Sequence, residues 1–217
     1  MTQKIKRTQE EWIVQAAICE LIAMSLALPT KELAEILVAG EFAEALVEVG
    51  EKTGFDSMTS KQLRDLLAEY KGQDAEELFH ILRTEYTRLF VGAPKPAVSP
   101  YAGVWHAREQ GVEPLLFVSP RAMEIERFMR SYGIGQAEGK NEPLDNISTE
   151  FEFLQFLALV NAGAVEVPEC IDIPESAFGT FFSQYVANWA DGFAAEVQNA
   201  TKLAFYQTVA EVIKALL

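Results

Sequence analysis

Cysteine and histidine are scarce in this chain, with two of each among 217 residues. Cys19 and Cys170 lie far apart in apolar sequence, so we predict two buried thiols in a reducing compartment rather than a disulfide. His106 and Glu109 form an i, i+3 pair, but a structural zinc site needs four ligands, and no others follow at ligand spacing. The sequence therefore gives no support for a metal site.

Long apolar runs and positive charge are also lacking. No stretch of about 18 uncharged apolar residues is present, so no transmembrane helix is expected. Glutamates interrupt the apolar residues after the basic N-terminus, which is typical of an amphipathic helix and not of a secretory signal. The 18 basic and 32 acidic side chains give a net charge of −14. This balance disfavours nucleic-acid binding and favours a basic partner. We expect a cytoplasmic protein.

Strand patterns are almost absent, and the best candidate, Leu115–Val118, is short and isolated. Apolar residues instead recur at helical spacing along most of the chain. Thr30, Asp74 and Ser119-Pro120 have the residue types that begin helices. We predict an all-α fold in which residues 1–217 form a single domain of about ten helices. Towards the C-terminus the pattern predicts helices at Phe178–Ala190, Phe193–Gln198 and Phe205–Leu217. The glycine-rich residues 133–140 are predicted to act as a hinge.

The stretch Asn141–Val160 predicts a central helix whose first turn differs in character from the rest. Asp145 and Asn146 are side chains that accept hydrogen bonds from a helix start. Phe151–Val160 is apolar except at Glu152 and Gln155, so we expect a buried helix with an acidic mouth. Paired carboxylates can perform acid–base chemistry when a pocket separates their pKa values. They can equally be caps on a solvated rim, and the residues alone leave both interpretations open.

The segment Val91–Tyr101 contains three prolines and a glycine, and it cannot be helical. An irregular segment of this length inside a compact domain usually has a function. We therefore expect this proline loop to contribute to a binding site.

Two motifs flank these features. The run Glu85-Tyr86-Thr87-Arg88-Leu89-Phe90, followed by the proline loop to Pro100-Tyr101, resembles the first signature of the TorD/DmsD family of redox-enzyme maturation chaperones. The run Glu142-Pro143-Leu144-Asp145-Asn146, followed by Glu150 and an aromatic-rich helix, resembles the second signature. The order of the motifs and the all-helical pattern agree with the same family.

The resemblance implies a cytoplasmic chaperone that is not an enzyme and needs no cofactor of its own. Members of the family bind the twin-arginine leader, or nearby surfaces, of molybdenum-containing oxidoreductases, and they hold the apo-enzyme until molybdopterin is inserted and export can follow. The implied partners are thus a leader peptide and an apo-molybdoenzyme catalytic subunit. Like some relatives, this chain is expected to be a monomer with some exchanged homodimer.

The predicted partner-binding site combines both motifs. Carboxylates are expected to pair with the arginines of a leader, and aromatic residues to line a groove for its apolar segment. The family's usual histidine is replaced by Asn146, which keeps hydrogen bonding but does not titrate near neutral pH. The nucleotide binding reported for some members would therefore lack that group here. For Tyr86 and Phe90, plain core packing explains the residue types equally well. The predicted site residues are Glu85, Tyr86, Phe90, Pro100, Tyr101, Trp105, Glu142, Pro143, Asp145, Asn146 and Glu150.

Two alternatives stay open from the sequence. An assembly chaperone for a non-exported molybdoenzyme would bind an ordinary N-terminal segment without the arginine pair. A small helical hydrolase would use the carboxylates with a metal ion, and the scarcity of ligands argues against it.

Overall fold

Helices make up nearly all the regular structure of the chain, of which the computed structural model describes residues 7–53, 63–114, 119–135 and 143–217. The prediction of an all-α fold is confirmed: over these residues the one β-type pairing is an isolated antiparallel bridge between Tyr101 and Asn146. In chain order the helices are α1 (Gln9–Leu26), α2 (Lys31–Ala39), α3 (Glu41–Thr53), α4 (63–67, extended by the 3₁₀ turn Ala68–Tyr70), α5 (Ala75–Tyr86), α6 (Ala102–Glu109), α7 (Pro120–Ser131), α8 (Ile147–Asn161), α9 (Ser176–Phe181), α10 (Ala187–Ala200) and α11 (Ala204–Leu216).

The predicted helix starts are capped by the predicted side chains. Thr30, Asp74 and Ser119 each accept a hydrogen bond from the backbone N–H three residues further on, at 3.2, 2.8 and 2.9 Å. Each bond satisfies one of the donors that a helix start leaves unpaired. Local chemistry alone therefore fixes where α2, α5 and α7 begin.

The C-terminal helices differ from the prediction. The separate helix predicted at Phe193–Gln198 is wrong, because α10 runs unbroken from Ala187 to Ala200. A π-helical turn, Phe182–Val186, joins α9 directly to α10. A second π-helical turn, Thr87–Val91, extends α5 into the proline loop. Such turns are rare and often occur at functional sites.

The prediction that both cysteines are buried is right for one and wrong for the other. Cys19 is buried as predicted, but Cys170 is exposed, because it lies in the irregular segment between α8 and α9.

The strand candidate Leu115–Val118 and residues 136–140 of the hinge lie outside the described residues. Of that hinge the structure shows Gly133 with a φ of 78°, the left-handed conformation that glycine adopts without strain and that ends α7.

The central helix is α8, and α1 packs along it more extensively than any other helix. Phe151, Leu154 and Leu157 are at most 1% exposed, whereas Glu152 is exposed on the outer side. The surrounding hydrophobic cluster is contiguous and takes residues from helices between Trp12 in α1 and Ile213 in α11. The predicted buried rod is therefore present, and its first turn defines where the site residues lie.

No single helix in the described ranges is long and apolar enough to cross a membrane; α1 and α2 reach that length and composition only as a pair with a 120° bend between them.

Candidate functional site

The starts of α6 and α8 are joined by backbone hydrogen bonds. The Ile147 amide donates to the Pro100 carbonyl, and the Ala102 amide donates to the Asp145 carbonyl, both at 2.9 Å. The isolated bridge between Tyr101 and Asn146 lies between these two bonds. The end of the proline loop and the second motif, which are separate in sequence, therefore form one structural unit. We call this unit the helix-start junction and define it by Pro100–Gly103 and Asp145–Ile147.

Within the junction, Asp145 and Asn146 cap different helices. The Asn146 side chain accepts from the Ser148 amide at 3.0 Å and caps its own helix, α8. Asp145 was predicted to cap the same helix, and that prediction is wrong. Its Oδ2 instead accepts from the Gly103 amide at 2.9 Å, in the first turn of α6. Since the side chain of Tyr101, at the N-cap position of α6, makes no capping hydrogen bond, Asp145 supplies the missing cap from a distant part of the sequence.

Gly103 allows α6 to approach this carboxylate closely. A Cβ atom at this position would lie 2.2 Å from Ser119 Oγ and 3.0 Å from Asp145 Oδ2. Both distances are shorter than ordinary van der Waals contact, so only glycine fits. The start of α7, capped by Ser119, is thereby brought against the starts of α6 and α8.

Glu150 lies one turn into α8 and is completely buried. Within the described part of the chain neither of its carboxyl oxygens makes a hydrogen bond of good geometry, and the buried Trp189 indole N–H, which makes none either, interacts with the carboxyl group only weakly. Burial, followed by the charge of the nearby Asp145, raises the pKa of Glu150 well above its ordinary value. Arg121 and the Trp189 indole act in the opposite direction. Burial also raises the pKa of Asp145, against the effect of the Gly103 amide.

Arg121 is a basic residue whose charge acts on the buried Glu150 and opposes the rise of its pKa. Its guanidinium donates to the Gln184 carbonyl in the second π-helical turn and lies 4.6 Å from the centre of the Tyr185 ring. The Arg121 side chain is only 11% exposed and is 3.4 Å from the exposed Glu124 carboxylate. These contacts hold a cation beside the buried acids without placing it in a direct ion pair with either.

Three of the aromatic site residues, Tyr86, Phe90 and Trp105, form a continuous cluster against α10. Trp105 donates its indole N–H to the Ser99 carbonyl at 2.8 Å, and its ring lies 6.1 Å from Trp189. Phe193 contacts both tryptophans and also Phe90, and the ring centres of Phe193 and Phe90 are 5.9 Å apart. Tyr86 packs edge-on against Phe90 at 5.2 Å. Tyr86 and Phe90 are 8% and 4% exposed, as the core-packing interpretation requires.

Glu85 makes its hydrogen bonds away from the junction. It accepts two hydrogen bonds from Arg88, at 2.8 and 2.7 Å, and one from the Thr201 hydroxyl at 2.7 Å. The hydrogen bonds from Arg88 are the main reason that the pKa of the Glu85 carboxyl group is lowered. These contacts connect the end of α5 to the link between α10 and α11.

The structure thus divides the predicted site residues by accessibility. Tyr101, Trp105 and Pro143 are half-buried at the surface of the junction. Pro100, Asp145, Asn146 and Glu150 are buried beneath them. Glu142 lies outside the described residues. A partner can reach the first group directly, and it can reach the second only if the junction opens. The assignment of these residues to partner binding stays a prediction.

Sequence reasoning missed Arg121 and Trp189. Arg121 had a detectable signal, because a cation in the first turn of a helix opposes the helix dipole and needs a partner elsewhere. Trp189 had none, since one aromatic residue in an aromatic helix looks like core. Among the described residues no group of three or more histidine, cysteine or acidic side chains could hold a metal ion.

Comparison with known proteins identifies the family. Residues 52–195 match the protein family described as "Nitrate reductase delta subunit". The chain belongs to this family, and the resemblance to TorD/DmsD redox-enzyme maturation chaperones drawn from its two motifs is confirmed. The matched region includes the first motif, the proline loop, the second motif and α8.

Individual relatives carry consistent names. The chaperone protein TorD of Vibrio cholerae is 25% identical over 145 residues, which cover 67% of this chain and 63% of that protein. The TorD of Photobacterium profundum is 29% identical over 125 residues, covering 58% of this chain and 55% of its own length. The similarity thus spans less than two thirds of either relative. A solved structure of a redox enzyme maturation protein from Archaeoglobus fulgidus has the same fold, with a TM-score of 0.54, 18% identity and 93% coverage of both chains.

Proposed function

We propose that this protein is a cytoplasmic maturation chaperone that binds the twin-arginine leader, or the apo form, of a molybdenum-containing oxidoreductase and holds it until cofactor insertion and export. The observation that carries the proposal is the family match, which includes both motifs. The relatives are named chaperones and not enzymes. We infer that this chain also acts by binding alone.

The buried acid beneath the helix-start junction, Glu150, has chemistry that suits an arginine. Neither carboxyl oxygen of Glu150 makes a hydrogen bond of good geometry, and a guanidinium presents N–H groups in a planar fork that matches a carboxylate. Pairing with a cation would favour the ionised form of Glu150, which burial now disfavours. The buried acids would then change from an electrostatic cost to a favourable contact when the arginine enters.

The half-buried residues above the acids suit the apolar part of a leader. Tyr101 and Trp105 are half-buried aromatic residues, and Pro143 of the second motif is half-buried as well. An apolar helical segment laid on such a surface gains affinity from burial of its side chains. Opening of the junction and docking of the apolar segment would therefore occur together.

A second candidate is an assembly chaperone for a non-exported enzyme. The family description, which names a nitrate reductase subunit, favours this candidate, because it names no leader or export. Such a chaperone would bind an N-terminal segment through apolar contacts, and an arginine pair would not be needed. The two candidates therefore differ in whether the arginines contribute to affinity.

Calorimetry with two peptides separates the candidates. One peptide carries the arginine pair followed by an apolar segment, and its control has both arginines replaced by alanine. We expect the arginine peptide to bind more tightly, and its affinity to fall with salt, because exposed charges are screened over a Debye length of about 8 Å at physiological ionic strength. Binding should persist at high salt, because apolar burial is not screened. Equal affinity for both peptides would favour the non-exported client. If neither binds and no oxidoreductase is recovered with the protein from its native cytoplasm, the proposed function is wrong.

A further inference from the structure

A second surface, formed by residues outside the junction, has the shape of a binding groove. It runs along one face of α5 and of the π-helical turn that follows, formed by residues 80, 81, 84, 85 and 88, and is closed by the link between α10 and α11. The groove encloses about 600 Å³. Its apolar floor includes Leu203 and Ile81, and Ile81 is 40% exposed. A large exposed apolar side chain in a concave surface is typical of an interaction site.

The charges of this groove are opposite in sign to those of the whole protein. Glu85, its one carboxylate, is engaged by two hydrogen bonds from Arg88 and one from Thr201. Arg88 also donates to the Ala200 carbonyl at 2.7 Å, which fixes its guanidinium in the groove wall. Lys202 is exposed at the rim, and the described residues place no carboxylate within ion-pairing distance of its ammonium group. In the lining Arg88 and Glu85 cancel each other's charge, which leaves Lys202 as an unpaired cation on a chain with a net charge of −14.

This charge pattern excludes the leader as the best occupant. A segment with two arginines would meet the unpaired Lys202, and like charges brought together at an interface cost affinity and reject wrong partners. A helix suits the groove because its floor follows a single face of α5, and helices commonly dock in such grooves through one apolar stripe. The complementary partner is therefore a helix that is apolar on one face and acidic beside it.

We propose that this groove, lined by Ile81, Glu85, Arg88, Lys202 and Leu203, binds an acidic amphipathic helix of a partner protein, at a site separate from the helix-start junction. Apolar side chains of that helix would cover Ile81 and Leu203, and its carboxylates would pair with Lys202. The chaperone would then hold two chemically different segments at once, a basic one at the junction and an acidic one at the groove.

Photo-crosslinking tests the proposal with a defined probe. The probe is a blocked twelve-residue helical peptide with leucines on one face, glutamates beside them and one benzophenone residue on the apolar face. The matched peptide has every glutamate replaced by lysine. The full-length protein is crosslinked with each peptide, and the attachment sites are mapped by mass spectrometry. Lys202→Glu is the test variant. Lys52→Glu is its control, because it makes the same change of net charge in a different groove, beside Thr53 and Ala215.

We expect the acidic peptide to attach within residues 80–88 or 200–203. Lys202→Glu should weaken its binding by about fivefold, the effect of losing an exposed charge contact of about 1 kcal/mol, and Lys52→Glu should leave it unchanged. Lys202→Glu should also improve attachment of the lysine peptide, which a merely misfolded variant would not do. An excess of the arginine-pair leader peptide should not displace the acidic peptide.

Three outcomes would overturn the proposal. Attachment outside the two segments would place the site elsewhere. Equal attachment of the acidic and basic peptides would show that the groove selects only for apolarity. Displacement by the leader peptide would show a single shared site. If the leader peptide does not bind at all, the proposed function is contradicted, but the groove proposal is still tested, because it is tested with its own acidic peptide.

Discussion

Replacing Glu150 by glutamine tests whether the buried acid is held in its protonated form. Glutamine has nearly the same shape and is neutral at every pH. At low pH wild type and variant both place a neutral side chain among the same neighbours, so their free energies of unfolding should be similar. At higher pH the two proteins should differ, because only the wild type carries a buried group that is costly to ionise where it lies, without a hydrogen bond of good geometry.

The sign of the difference follows from proton linkage. Burial raises the pKa of Glu150 well above its ordinary 4.5, so between these two pKa values the folded protein holds a proton that the unfolded chain has released. Stability falls with rising pH wherever the folded state binds more protons. The wild type should therefore lose up to about 1.4 kcal/mol per pH unit relative to Glu150→Gln over that window. The loss begins near the ordinary pKa and ends when pH passes the raised one.

Urea unfolding, followed by far-UV circular dichroism at pH 5, 6, 7 and 8, measures this difference. Glu85→Gln is the matched control, because the Arg88 hydrogen bonds lower the pKa of Glu85. The stability that Glu85 provides is fully present above the unfolded pKa and is lost only as pH falls through the lower, folded value. Over pH 5–8 this control should show a constant deficit of about 1 kcal/mol.

Two results would contradict the reasoning about Glu150. A stability difference that is constant from pH 5 to 8 would mean that its pKa is ordinary and that some donor reaches its carboxyl group. A difference of opposite slope, with the wild type gaining stability as pH rises, would mean that Glu150 is ionised and paired in the folded protein. Arg121 would then be the nearest candidate partner.

Four further substitutions, at three positions, test the packing and capping around the two surfaces. Gly103→Ala should cost about 1–3 kcal/mol by urea unfolding, because its Cβ would overlap Ser119 Oγ; an unchanged midpoint would refute the close approach. Asp145→Ala should cost about 1–3 kcal/mol by leaving the Gly103 amide without an acceptor. Asp145→Asn keeps an acceptor and should lose less than about 1 kcal/mol, yet bind a leader roughly thirtyfold or more weakly if the charge contacts an arginine; unchanged calorimetric affinity would place the site elsewhere. Thr201→Val removes the donor to Glu85 and the cap on the Leu203 amide, so a loss of about 1–2 kcal/mol is expected, and thermal unfolding without loss would contradict it.

Features determined by neighbouring residues could be predicted from the sequence. Thr30, Asp74 and Ser119 cap the helices they precede because the acceptor and the donor are three residues apart. The apolar run after Glu150 predicted a buried central helix, because the hydrophobic pattern of a helix is also a property of neighbouring residues. The boundary error near the C-terminus falls at Asp191-Gly192, between the predicted helices Phe178–Ala190 and Phe193–Gln198. Glycine is typical of a helix end, but here Gly192 lies inside α10, where a Cβ atom would come within 3.1 Å of the Trp105 ring. That contact with a distant residue could not be seen in the local pattern.

Features determined by distant residues could not be predicted in the same way. Asp145 has the residue type and position of a cap for α8, and the choice of α6 instead depends on how closely Gly103 approaches it. The neighbours of Glu150 come from α7 and α10, so the size of its pKa shift depends on packing that no spacing rule contains. The groove beside α5 is formed by a link more than a hundred residues away in the chain, as the bond from Arg88 to Ala200 shows.

Burial of the acids changes what the net charge can do. The charge of −14 acts at long range and governs how fast a basic segment arrives, an effect that salt screens. Asp145 and Glu150 contribute little to that field, because Asp145 is one of 32 acidic side chains and burial holds Glu150 towards its neutral form. Their selectivity for an arginine arises at contact, after the junction opens. Salt dependence and selectivity for the arginine pair should therefore vary independently: Asp145→Asn should reduce the preference for arginine over alanine and leave the slope of affinity against salt almost unchanged.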